Sequence, residues 1–266
     1  MLVSQGIEST IENDPELGWG LRIDENDCGK AVDAIRQYRR ENRGWPWQAH
    51  LFRHEFLFDW VSLAWVVLLV LFFELDEQNG LQARALMEPA QVLRGEWWRL
   101  FTAIWLHEDV AHLAMNATVG LLLLGLAMAR LGTGVGLLAA YLAGAGGNLL
   151  VVFLLPHRGP GLGSSGMVMG MLGLLGLRSL EPWRRTSGLM RRLALSIGAA
   201  VMLFVLLALN PGTDVLAHLG GFLTGLLIGW VVSQSYLSAK NAVANVTAGL
   251  VFCLLVIVPW WLALRR

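Results

Sequence analysis

Residues 161–177 read GLGSSGMVMGMLGLLGL. The stretch is almost wholly apolar and rich in glycine, yet two adjacent serines, Ser164 and Ser165, stand near its start. At the edge of a bilayer such a pair serves helix packing or helix capping, or else it supplies a nucleophile. The rest of the chain has to separate these readings.

The surroundings are those of a polytopic membrane protein. Of 266 residues, 55% are hydrophobic and only 15% are charged, against about 25% charged in soluble domains. Mean hydropathy is +0.54. The formal net charge is zero, so nucleic acid is not an expected partner. The two cysteines, Cys28 and Cys253, indicate neither a disulfide framework nor a cysteine metal site. Residues 1–57 are mixed and charged, with no basic start leading directly into an apolar core. The expectation is that no signal peptide is cleaved and that the first apolar helix directs insertion.

Residues 1–57 predict a small N-terminal segment exposed to water, partly helical. Its CGKAVDAIRQYRRENRG run predicts a helix with Val32, Ile35 and Tyr38 on one side and Gly44 as the stop. Trp45 and Trp47, around Pro46, suit an interfacial anchor. Seven apolar spans follow at about 58–74, 110–129, 133–155, 161–179, 191–209, 214–232 and 246–264, most of them close to the ~20 residues that cross a bilayer. The long link between spans one and two carries Trp97, Trp98, Phe101 and Trp105. It predicts a folded loop, about 75–108, at the membrane interface. Basic residues set the topology. Arg36, Arg39, Arg40, Arg43 and Arg53 precede span one, and Arg178, Arg184, Arg185, Arg191 and Arg192 lie between spans four and five. The bias predicts a cytoplasmic N-terminus and an outer C-terminus.

Polar groups inside a bilayer are functional candidates by default. Span two opens with His112 and Asn116, four apart and on one helical face. Span four opens with the serine pair, and span six with Asp214 and His218. In the predicted topology all three spans run from outside to inside, so these residues share one depth. Together they hold the parts for acyl transfer. A serine hydroxyl needs a base, histidine supplies one near neutral pH, and Asn116, His112 and the serine N–H can donate to an oxyanion. Gly221, Gly225 and Gly229 recur every four residues near the face of His218, and span four carries Gly166, Gly170 and Gly173. Such small faces let membrane helices approach closely. Structural readings stand beside these: joining helices two and four for His112 and Asn116, a structural hydrogen bond or an interfacial position for His218, core packing for Tyr141, and packing or an interhelical hydrogen bond for Asn148. His107 is expected to fix the long loop. Asp214 could orient His218, but it also fits the first helical turn, where a carboxylate is favoured. The histidines lack the acidic or cysteine companions of a metal site, and no cofactor is called for.

These residues resemble the rhomboid family of intramembrane serine proteases. Trp98 and Arg99 are similar to its Trp–Arg pair, and His107, His112 and Asn116 to its His…His…Asn pattern. Gly163-Ser164-Ser165-Gly166 is similar to its Gly-x-Ser-Gly nucleophile motif, and His218 with Gly220, Gly221 and Gly225 to its histidine helix. The resemblance implies an all-α polytopic membrane protein, with a six-helix catalytic core over 58–232 and a linker with a seventh helix over 233–266. It implies a Ser165–His218 dyad that cleaves membrane-protein substrates near the outer face. His112, Asn116 and the Ser165 amide would hold the oxyanion, and Trp98 and Arg99 would be structural. The expected partners are transmembrane protein substrates and membrane lipid, in a prokaryotic cell membrane. Met169 stands where many members place an aromatic residue against the histidine. The competing classes are an inactive relative that binds membrane proteins, and a transporter, which favours internal repeats that are not evident here.

Overall fold

The computed structural model describes residues 2–14, 18–41, 57–178, 198, 214–234 and 241–265. The chain divides into two compact units, Met1–Phe56 and Leu57–Arg266. The fifth expected span, 191–209, lies outside the described residues, as do Gly44, Trp45, Trp47 and the basic residues Arg184, Arg185, Arg191 and Arg192.

In the first unit, strands β1 (Ser9–Asp14) and β2 (Gly18–Ile23) pair antiparallel, with Ile11 opposite Leu21. Helix α1 (Cys28–Glu41) follows. The hairpin is an addition to the expected helix, because its short strands carry few apolar side chains to announce them. Leu2, Ile7, Ala31 and Ala34 form a small core, with Ile23 and Ile35 packed against it. The expected apolar side of α1 is corrected, since Val32 and Tyr38 are exposed. The buried face runs through Ala31, Ala34 and Ile35, whose three- and four-residue spacing makes one stripe.

The second unit is all-α. Its α2 (Ser62–Asn79) runs past the expected end at Glu74, because one carboxylate of its acidic tail is used inside the fold. Asp76 is buried and accepts from the backbone and side chain of Gln82 at 3.0 and 2.7 Å. The stop is Gly80, in the left-handed conformation at φ 64°, with its N–H on Asp76 O. Such a cap favours glycine. The link to the next long helix is folded into α3 (Gln82–Ala85), α4 (Pro89–Leu93), α5 (Arg99–Thr102) and a single 3-10 turn, Ala103–Trp105.

Among the described residues, four helices are long and apolar enough to cross a membrane. They are α6 (Val110–Leu131), α7 (Thr133–Leu154), α9 (Val215–Gln234) and α10 (Ala242–Arg265). The chain is therefore a polytopic membrane protein. Between α7 and α9 in sequence lies α8 (Ser165–Arg178). It packs most extensively on α9 and also on α7 and α6. Helix α8 begins at Ser165 rather than at the expected 161. Residues upstream of it are held out of the helix by a backbone pairing of Gly161 with Met87 and by Gly163, whose φ is +116°.

Candidate active site

The folded link is built around buried polar anchors. Arg99, only 8% exposed, donates from Nε to Glu96 Oε2 at 2.6 Å and from Nη1 to Leu86 O at 2.8 Å. A guanidinium can serve both in its planar fork. Thr102 Oγ1 donates to Ala85 O at 2.8 Å. Trp98 is buried in the same core. Helix α7 grips the link from the other side. Asn148 Nδ2 donates to Leu100 O at 2.8 Å, Tyr141 Oη donates to Phe101 O at 3.1 Å, and Trp105 Nε1 donates to Tyr141 Oη at 2.9 Å.

This platform holds the serine turn. Met87 and Gly161 exchange backbone hydrogen bonds at 3.0 and 2.8 Å, and Gly163 N donates to Ala103 O at 2.9 Å. Gly163 also closes the turn against α6. A Cβ on it would lie 2.8 Å from His112 Cε1 and Nε2, and 3.5 Å from Asn116 Nδ2. His112 is set by Asp109, whose carboxylate caps α6 by accepting from His112 N at 2.7 Å. Asn116 is buried, and its Nδ2 has no hydrogen-bond partner among the described residues. A buried donor without a partner is uncommon, and this one lies beside the serine turn.

The two serines differ. Ser164 is fully buried, with its Oγ 3.3 Å from His107 Nε2. Ser165 is half-buried and is the first residue of α8. His107 has its pKa pushed down to about 4 by burial, with the imidazole of His112 adding in the same direction. It is therefore neutral at physiological pH. The His107–Ser164 bond has no counterpart in the sequence expectations, because the two lie 57 positions apart.

Helix α9 meets this turn through glycine. A Cβ on Gly221 would strike Gly166 O, and one on Gly225 would strike Gly170 O. Gly147 of α7 faces Ala217 O in the same way. The backbone of Gly166, next to Ser165, thus lies against Ala217 and Gly221, the residues that flank the His218 level of α9. His218 is 3% exposed. Asp214 is occupied elsewhere. Its Oδ1 accepts from Ala217 N at 3.0 Å and from Arg158 Nη1 at 2.9 Å. Its observed role is the first-turn cap. Among the described residues no cluster of histidine, cysteine and acidic side chains suits a metal ion.

Residues 94–235 match the family model of the Rhomboid domain. The chain belongs to the rhomboid family. The matched stretch contains the platform from Arg94 onward, His112 and Asn116, the serine turn, and His218. Among relatives of this rhomboid, RHOMBOID-like protein 4 of Arabidopsis thaliana is 34% identical over 160 residues, covering 57% of this chain and 38% of that protein. The Rhomboid protease GluP of Bacillus subtilis is 33% identical over 176 residues, covering 60% of this chain and 32% of that protein. Rhomboid-related protein 3 of Homo sapiens is 29% identical over 197 residues, covering 68% and 46%. The chain thus spans less than half the length of each of these relatives.

Proposed function

We propose that this rhomboid is an intramembrane serine endopeptidase that cleaves membrane-protein substrates near the outer face through Ser165 and His218. The observation that carries this is the seating of the serine turn, with Gly163 against His112 and Asn116 and the glycine face of α8 against the helix of His218. His218 takes the Ser165 proton as Oγ attacks the scissile carbonyl. The resulting oxyanion receives the Ser165 N–H, the Asn116 Nδ2 that has no other partner among the described residues, and His112. Each such donor is worth about 10²–10³ in rate. His218 then returns the proton to the leaving amine, and water resolves the acyl-enzyme by the same steps in reverse. A single-span substrate whose helix unwinds readily suits the site, because helical hydrogen bonds hide the scissile amide.

The finer architecture belongs to the same proposal. Six helices over 58–232 make the catalytic core, α10 is an added seventh helix, and the folded link between α2 and α6 rests at the interface. The N-terminus is cytoplasmic and the C-terminus outside, in a prokaryotic cell membrane. The arginine distribution and the relative named as a protease in Bacillus subtilis support this reading.

A second reading rests on one observation, the buried His107–Ser164 hydrogen bond, which makes Ser164 the nucleophile and neutral His107 its base. Burial argues against it. Ser164 is 0% exposed, whereas Ser165 is half-buried at the head of α8. The test is cleavage of a generic single-span substrate in proteoliposomes. Ser165→Ala and His218→Ala are expected to lose cleavage by at least ~10³-fold, while Ser164→Ala retains it. Loss in Ser164→Ala and His107→Gln, with cleavage kept in Ser165→Ala, would establish the second reading instead.

A further inference from the structure

We propose that Arg158 and Asp214 are positioning residues for cleavage, their ion pair fixing the segment that leads into Ser165 to the first turn of the helix that carries His218. The inference rests on the Ser165–His218 reading. Asp214 lies where three segments of the second unit meet. Its Oδ1 accepts from Arg158 Nη1 at 2.9 Å and from Ala217 N at 3.0 Å, and its backbone O accepts from His218 N at 3.0 Å. Its Oδ2 lies 3.5 Å from where a Cβ on Gly161 would stand. Gly161 is in turn paired with Met87 of the folded link. One carboxylate therefore binds the approach to the serine through Arg158 and caps the start of the histidine helix, and it stands beside Gly161 at the edge of the platform.

Capping alone explains the Ala217 contact. It does not explain Arg158, which belongs to the stretch between α7 and the serine turn and returns its own N–H to Leu155 O at 3.0 Å. The pair is only partly buried, with side chains 37% and 21% exposed. Exposed pairs of this kind add little to stability. Their geometric effect is not small, since a displacement of about 1 Å between reacting groups costs about 10²-fold in rate. Dyad alignment is therefore more sensitive to this bond than folding is.

The experiment uses the full chain in proteoliposomes with a single-span substrate. Arg158→Gln removes the ion pair and keeps the cap, and Asp214→Asn does the same because its amide oxygen still accepts from Ala217 N. Each is expected to lower kcat by ~10-fold with KM within about twofold and Tm within about 2 °C. Labelling of the serine by a fluorophosphonate slows in step. The double variant falls no further than either single one, and Arg158→Lys recovers most of the rate. Parental kcat in both single variants overturns the proposal. So does a double loss equal to the product of the single losses, or a loss that follows a lowered Tm. Ser165→Ala and His218→Ala run alongside. If they cleave like the parent, the dyad itself is wrong and the inference falls with it. If only they fail, the dyad stands and the ion pair is ornamental.

Discussion

His107 has its ring centroid 5.2 Å from that of His112 and its Nε2 on buried Ser164. Its pKa is pushed down to about 4, below the ordinary 6.5 of an unfolded chain. Between those values the unfolded state binds the extra proton, so stability rises with pH across the window. The contribution is full above about pH 6.5 and is lost as pH falls towards 4, reaching on the order of 3 kcal/mol. Melting in detergent from pH 7.5 to 4.5 should therefore show Tm falling in the parent. His107→Gln starts lower but declines less steeply, and an equal slope in both refutes the assignment. Gly163 makes a second residue-scale case. At φ +116° any side chain is strained by about 1–3 kcal/mol, and a Cβ there meets the His112 ring at 2.8 Å. Gly163→Ala is expected to cut cleavage by more than ~10²-fold, read as kcat against a substrate titration, because the strained turn shifts both His112 and the serine N–H.

At the scale of elements, the contact between α8 and α9 was the most legible part of the site. Glycines every three or four residues on both helices announce close approach, and Gly221 and Gly225 do meet Gly166 and Gly170 backbone to backbone. A methyl at Gly225 has only rigid carbonyl and Cα atoms to displace. Gly225→Ala should therefore separate the helices, lower stability by about 1–3 kcal/mol and abolish most cleavage. Gly249→Ala, whose nearest neighbour would be Gly134 Cα at 3.8 Å, should melt and cleave like the parent. Thermal melts of the two purified variants decide the matter, and equal behaviour sinks the packing account. The folded link was much less legible. Its tryptophans marked it as structured, yet periodicity is silent about Thr102 on Ala85 or Asn148 on Leu100, because loop hydrogen bonds join residues with no common spacing. The same holds for α2, where Glu74 reads as a polar end while the true stop, Gly80, depends on a left-handed cap. In the first unit, α1 was visible but its buried face was not, since alanine carries too little hydrophobic signal to outweigh Val32 and Tyr38.

For the membrane unit taken together, α10 sets the hardest problem, because beyond Asn245 and Thr247 its apolar run gives little sign of which side faces protein. The structure anchors it near its start and again further along. At one end Asn245 reaches the turn between α6 and α7, where its Oδ1 accepts from Val135 N at 3.3 Å and its Nδ2 donates to Leu131 O at 3.4 Å. Further along, Phe252 meets Tyr141 edge-on at 5.3 Å, and Trp260 stacks on Phe72 at 4.8 Å. Tyr141 is the residue that holds Phe101 O and Trp105 Nε1, and the same link supplies Ala103 O to Gly163. A continuous packed route thus runs from α10 to the serine turn. Phe252→Ala removes the ring that backs Tyr141, and truncating a buried aromatic costs about 3–5 kcal/mol. The expected outcome is a lowered Tm together with a loss of cleavage that outlasts restored folding. At temperatures well below the variant's Tm, kcat should remain at least ~5-fold down, since a loosened platform misplaces the turn it holds. Leu254→Ala, on a side chain 59% exposed, should change neither quantity. If Phe252→Ala regains parental kcat once it is folded, α10 stabilises the unit without reaching the site, and the route through Tyr141 carries packing alone.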